Sequence, residues 1–159
     1  MKYRAFIMFI AAILVCFISA CSSHKMDREY VQDKVCDTEP RLRITKITVT
    51  DNETRVNCKY TYKASGKKAL KPGASEALAM APPGNPAAMY IIASGGKKYN
   101  LLKVSGIPTL PDSVIPVAGQ VFDIQLVFER IDDSVKKIDI VEGNADMLVA
   151  WKFLNIQLP

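Results

Sequence analysis

The 159-residue sequence predicts an all-β fold, a single antiparallel β-sandwich of about seven to eight strands, behind an export signal and a polar tether. Three observations predict it. Apolar and polar residues alternate strictly along several short segments, turn-forming residues punctuate them at short intervals, and no long amphipathic helical pattern is present. A closed barrel is the competing arrangement of the same strands.

The chain opens with a basic start, Met1-Lys2-Tyr3-Arg4, followed by an apolar run from Ala5 to Ala20 broken only by Ser19. The run is about 16 residues long, short of the roughly 20 that a membrane span needs. This is the anatomy of a secretory signal, with an uncut anchor helix as the alternative. At its end Ile18-Ser19-Ala20-Cys21 resembles the lipobox of bacterial lipoproteins: a branched aliphatic residue, two small residues and the cysteine, with Ile18 in place of the preferred leucine. The resemblance implies cleavage before Cys21, attachment of a diacylglycerol to its sulfur, and often acylation of the freed amine with a palmitate-type chain. Two or three chains anchor firmly where one does not, at roughly 0.8 kcal/mol per buried CH₂. Ser22, a non-acidic residue, then implies the outer membrane as destination. Cys16 is no second candidate, because Ile13, Leu14 and Val15 before it are all large.

Residues 21–35 read as the lipidated N-terminus and its tether, since apolar residues there are sparse and irregular. The folded domain is assigned to 36–159. Within it Leu42 to Val49 forms a strand whose inward parity switches between Ile44 and Ile47, which places a bulge near Thr45-Lys46. Asp51-Asn52-Glu53-Thr54 is the turn, and Arg55 to Lys63 the strictly alternating partner, a register that sets Cys58 opposite Ile47. A second hairpin spans Met89 to Val104 around Ser94-Gly95-Gly96-Lys97, whose glycines supply positive φ. Val121 to Glu129 is the cleanest strand, with Phe122, Ile124, Leu126 and Phe128 inward. Ile138 and Ile140 continue the pattern, and Trp151 to Leu158 closes the chain. The Ala-Ser-Gly-Lys runs at 64–68 and 93–98 are similar turns, not a repeat, because their flanks differ.

The segments Phe122–Ile131, Ile138–Gly143 and Trp151–Leu158 together resemble a closing pattern in immunoglobulin-like modules of exported bacterial lipoproteins. The resemblance implies an immunoglobulin-like sandwich and brings no catalytic residue with it. The antibody-type pairing of cysteines around a central tryptophan is missing, so the likeness is one of architecture.

Twenty-one basic against 16 acidic residues give +5, which falls by two, to +3, when Lys2 and Arg4 leave with the signal. Charges of both signs are interspersed without interleaved aromatics, which argues against nucleic-acid binding. Cys36 and Cys58, the cysteines left once Cys21 is lipidated, invite a disulfide in an exported chain. Closing a loop of about 22 residues would stabilise by roughly 3 kcal/mol. Two unpaired thiols are the alternative, with Cys58 acting as a small core residue. Without a Cys-x-x-Cys, redox catalysis is not expected.

Other constellations carry less. Glu129, Asp132, Asp133, Asp139 and Glu142 are a dense acidic group that suits calcium or acid hydrolysis by residue type, but its spacing matches no binding loop, and turn carboxylates explain it. His24, the single histidine, stands three residues from the lipidation site without a partner ligand. Neither a metal nor a cofactor is expected. The pairs Lys67-Lys68, Lys97-Lys98 and Lys136-Lys137 each flank a turn and would meet headgroups or an acidic partner if brought to one end. The connection from Lys71 to Ala88 is long and proline-rich, and Leu78, Met80, Pro82 and Pro83 make it a candidate partner-binding loop; the alternative is a helical turn at 75–81 covering one end of the sandwich.

The sequence therefore points to a membrane-anchored envelope lipoprotein that acts by binding or scaffolding and is not an enzyme. An envelope inhibitor or immunity-type lipoprotein is the first alternative. A hydrolase with an acidic site is the second.

Overall fold

The computed structural model describes residues 27–63, 77–143 and 150–159. The signal, the lipobox, His24, Lys67-Lys68 and residues 71–76 of the proline-rich connection lie outside them. Eight strands follow one another: β1 (Arg28–Val35), β2 (Leu42–Val49), β3 (Glu53–Thr61), β4 (Met89–Ala93), β5 (Lys98–Ser105), β6 (Val121–Glu129), β7 (Lys137–Glu142) and β8 (Lys152–Gln157). Every pairing is antiparallel, and the hydrogen-bonded order is β1-β2-β3-β6-β5-β4-β7-β8.

β5 divides this order in two. Its first residues, Lys98 to Asn100, pair with β4, and Leu101 to Ser105 pair with β6. The groups β2-β3-β6-β5 and β4-β7-β8 thus follow the strand order of an immunoglobulin constant-type domain, with β1 added outside. Ile44, Ile47 and Val56 of the first group and Ile91, Ile140 and Phe153 of the second, all fully buried, belong to one core. That shared core is what the alternating patterns serve, at about 1.5–3 kcal/mol per large apolar side chain buried.

The sheet begins at β1, inside the stretch read above as tether. Its burial alternates, but the inward positions are Arg28, Tyr30, Gln32 and Lys34, whereas the apolar Val31 points out and is 88% exposed. The polar inner face has a reason: it runs toward β8. Gln32 Nε2 donates to the Gln157 carbonyl, and beyond β1 the Asp37 N–H donates to the Lys152 carbonyl at 2.7 Å. Thr38 Oγ1 donates to the Ala150 carbonyl, and Asp37 Oδ2 accepts from the Leu154 N–H. The two edge strands are joined by this seam of side-chain and turn bonds, which occupies backbone groups that exposed edges would offer to other chains.

One register, that of β2 with β3, differs from the sequence expectation. The turn between β2 and β3 is tighter than 51–54, because Thr50 Oγ1 accepts from the N–H groups of Asn52 and Glu53 and β3 starts at Glu53. The bulge does fall at Thr45, between the pairs Ile44–Cys58 and Lys46–Asn57. Cys58 is accordingly opposite Ile44, not Ile47. The β4–β5 turn is as expected, with Gly95 and Gly96 both at positive φ. Gly106, at the end of β5, is required for a second reason: a Cβ there would overlap the Asp123 carbonyl.

Cys36 and Cys58 are both buried free thiols. Cys36 donates its N–H to the Leu42 carbonyl on one side of β2, and Cys58 pairs with Ile44 on the other. Two strand spacings, roughly 9.6 Å, separate such positions, beyond the ~7 Å Cα limit for a disulfide. The expected bond therefore does not form. Cys36 Sγ donates instead to the Lys152 carbonyl at 3.2 Å, a further bond in the seam. Burial pushes the Cys58 thiol well up, with Cys36 adding to it, so it stays protonated as a core residue.

Strand directions define two ends. Arg28 pairs with Val49 beside the Thr50–Glu53 turn, and this base also holds the Ser94–Lys97 turn and the Arg130–Lys136 connection. The opposite, loop end carries residues 36–41, 62–63, 77–88 and 106–120. A strand of eight residues places the two ends roughly 25 Å apart.

Candidate functional site

Leu78 and Met80 of the proline-rich connection are not free to meet a partner. Leu78 and Val114 exchange backbone hydrogen bonds at 2.7 and 3.0 Å, and the Met80 N–H donates to Pro108 while its carbonyl accepts from Leu110. Leu78 and Met80, alternating along an extended segment, are buried in the core. Residues 77–81 form extended bridges rather than a helical turn. Pro82 is half-buried and Pro83 exposed, at a turn closed by the Asn85 N–H donating to the Pro82 carbonyl.

The partner of that segment is where the apolar surface lies. Among the described residues six large apolar side chains are exposed, and four of them, Leu110, Ile115, Val117 and Val121, fall between 110 and 121. Ile115 and Val117 are 68% and 67% exposed, although Val114 beside them packs on the core. The loop is held in place while its apolar side chains face water: the Gly119 N–H donates to the Tyr62 carbonyl, the Tyr62 N–H to the Gln120 carbonyl, and Val121 pairs with Thr61. Exposed apolar groups concentrated in one segment mark an interaction surface more often than chance scatter.

Two recesses adjoin this loop. The first, of about 400 Å³, is lined by Pro40, Arg41, Arg43, Lys59, Thr61 and Lys63. Arg43 and Lys59 are direct cross-strand neighbours. Each has an outer carboxylate, Asp33 for Arg43 and Asp123, at 3.7 Å, for Lys59. The second recess, about 360 Å³, lies among Glu39, Arg41, Tyr60, Leu78, Glu142 and Trp151. Arg41 borders both. Its guanidinium makes a two-pronged bond to Glu39, at 2.9 and 2.8 Å, and lies 5.4 and 5.6 Å from the ring centroids of Tyr60 and Tyr62. Tyr60 in turn stacks on Trp151 at 6.1 Å and meets Phe122 edge-on at 6.2 Å.

The two carboxyls of the second recess are tuned in opposite directions. Burial pushes Glu39 up, but its bonds from Arg41 outweigh that and hold it below the ordinary carboxylate range. Burial pushes Glu142 up, against the bond it accepts from the Trp151 N–H at 2.8 Å. The recess thus has a fixed charge pair beside a carboxyl that protonates more readily.

The acidic group from 129 to 142 is dispersed. Glu129 accepts from Asn100, Asp132 from Lys97 and Tyr99, and Asp133 from Arg130, with Arg28 also paired to it, all toward the base. Asp139 caps the Asn155 N–H in β8, while Glu142 lies at the loop end. These are turn and bulge contacts, and no group of three potential metal ligands occurs among the described residues. Lys97-Lys98 and Lys136-Lys137 do share the base, where Lys97 is tied to Asp132, Arg28 and Arg130 to Asp133, and Lys98 lies over the Tyr90 ring at 4.4 Å.

Sequence reasoning missed the 110–121 apolar cluster and the Arg43–Lys59 pair. The run of Leu110, Ile115, Val117 and Val121 was visible as apolar residues among prolines and glycines, whereas the cation pair required the true register. No family model matches the chain, and no curated protein or solved structure matches it.

Proposed function

We propose that this chain is a lipid-anchored envelope module that binds a partner protein through its loop end. The concentration of exposed apolar side chains at Leu110, Ile115, Val117 and Val121 carries the reading. In it, Cys21 is lipidated, the preceding residues are removed, and the chain rises from an outer membrane into the sheet at Arg28. The binding surface then stands on the far end from that point, aimed away from the bilayer and into the space within reach of the tether. The alternatives at the same surface are an inhibitor and an immunity-type protein, both of which bind one partner tightly.

A photo-crosslinking residue placed at Val117 in the full-length protein, expressed in its own envelope, tests the surface. The expected result is a discrete adduct that disappears with Ile115→Asp. The same probe at Val31, the most exposed apolar residue on β1, is expected to give none. Equal adducts from both positions, or none from Val117, contradict the reading.

A further inference from the structure

Across the outer face of four strands the charges read Asp33, Arg43, Lys59, Asp123, from β1 through β2 and β3 to β6. The negative residues are outermost and the two cations adjacent. Like charges set directly opposite on paired strands repel, and here each cation is also paired with its outer carboxylate, Asp33 or Asp123. Swapping the order of cation and carboxylate on either side would remove the repulsion at no cost in composition. The row is instead flanked on the loop side by Arg41, Thr61 and Lys63, which with Arg43 and Lys59 line the 400 Å³ groove, and no acidic residue is in its lining. Thr61 adds a hydroxyl that can donate or accept, and Arg43 offers a planar fork beside the point charge of Lys59.

We infer that this groove is an anion site for a phosphate-bearing ligand, held between Arg43 and Lys59. A phosphate monoester fits better than a single carboxylate because it carries more than one charge and three acceptor oxygens, enough to engage Arg43 and Lys59 together. The ligand is either a soluble phosphate monoester or a lipid whose headgroup ends in a phosphate monoester, which share that chemistry. The site belongs to the loop end of the proposed binding module but does not depend on the partner surface, since Ile115 and Val117 lie outside its lining.

The test is calorimetric titration of the full-length chain, in uncharged detergent, with inorganic phosphate at constant ionic strength. Saturable binding is expected, weakened at least tenfold by Arg43→Gln and by Lys59→Gln, and unchanged by Lys103→Gln on β5. Both side chains are about half exposed, at 45% and 52%, so the variants are expected to melt as the parent does. Displacement of phosphate by glycerol 3-phosphate alone assigns a soluble ester; displacement by dihexanoylphosphatidic acid assigns the headgroup. No saturable binding, or equal losses from all three variants, overturns the inference. Phosphate binding that fails while the Val117 adduct persists removes only this site, and the reverse removes only the partner reading.

Discussion

Arg43 of β2 and Lys59 of β3 stand directly opposite each other, two cations in register on the same face of the sheet. A double-mutant cycle over Arg43→Gln and Lys59→Gln, read by urea unfolding without phosphate, is expected to give an unfavourable coupling of about 0.2–1 kcal/mol. The same cycle at 1 M salt, where the screening length is about 3 Å, is expected to give almost none. A favourable coupling at low salt would mean that the surrounding carboxylates dominate the pair.

Glu39 and Glu142 face one recess with opposite shifts, so their amide variants should respond to pH with opposite sign. Glu39 is held low in the fold; the stability it adds is present above its ordinary value of 4.5 and is lost as pH falls through its folded value. Glu39→Gln is therefore less stable than the parent at pH 7, with the gap closing toward pH 3. Glu142 is held high; it favours the fold relatively only below 4.5, and that advantage is lost as pH rises through its raised value. Glu142→Gln, which keeps an acceptor for the Trp151 N–H, is expected to melt above the parent at pH 7 and level with it at pH 4. Thermal melts across that range check both.

Met80 is a core residue rather than a contact for a partner. Met80→Ala is expected to cost about 2–5 kcal/mol in urea unfolding, as a fully buried methionine truncated to alanine does. Pro83→Ala, at the exposed turn, is expected to stay within about 0.5 kcal/mol.

The pattern of the sequence was readable where a strand has one wet face and one dry one. β6 spans Val121–Glu129 as its alternation requires, and the glycine turn between β4 and β5 falls where expected. β1 was not readable, because its inward side chains are Arg28, Gln32 and Lys34 with only Tyr30 apolar, and its outward Val31 inverts the usual sign. Long polar stems can cover a seam as apolar groups cover a core, but they leave no hydrophobic period behind. Leu78 and Met80 were misplaced for a related reason: prolines and glycines around them read as loop, while the segment lies extended against 108–114. The Arg43–Lys59 pair was hidden by register, since a tightened turn and the extra Thr45 move every partner on the upper half of β2.

Thr54 is fully buried, and its Oγ1 accepts the Ile131 N–H at 3.0 Å, which ties β3 to the connection after β6. Thr54→Val keeps the shape and leaves that donor unpaired, an expected cost of about 1–3 kcal/mol. Thr54→Ser keeps the bond and is expected to lose less. Chemical unfolding of the two variants separates the bond from the packing.

Placement of the protein in the envelope hangs on Cys21, and intact-mass analysis of the protein purified from membranes tests it most directly. The predicted species begins at Cys21 and carries a diacylglycerol, with or without a third acyl chain on its amine. A chain that retains residues 1–20, or one that begins elsewhere without lipid, would contradict the account.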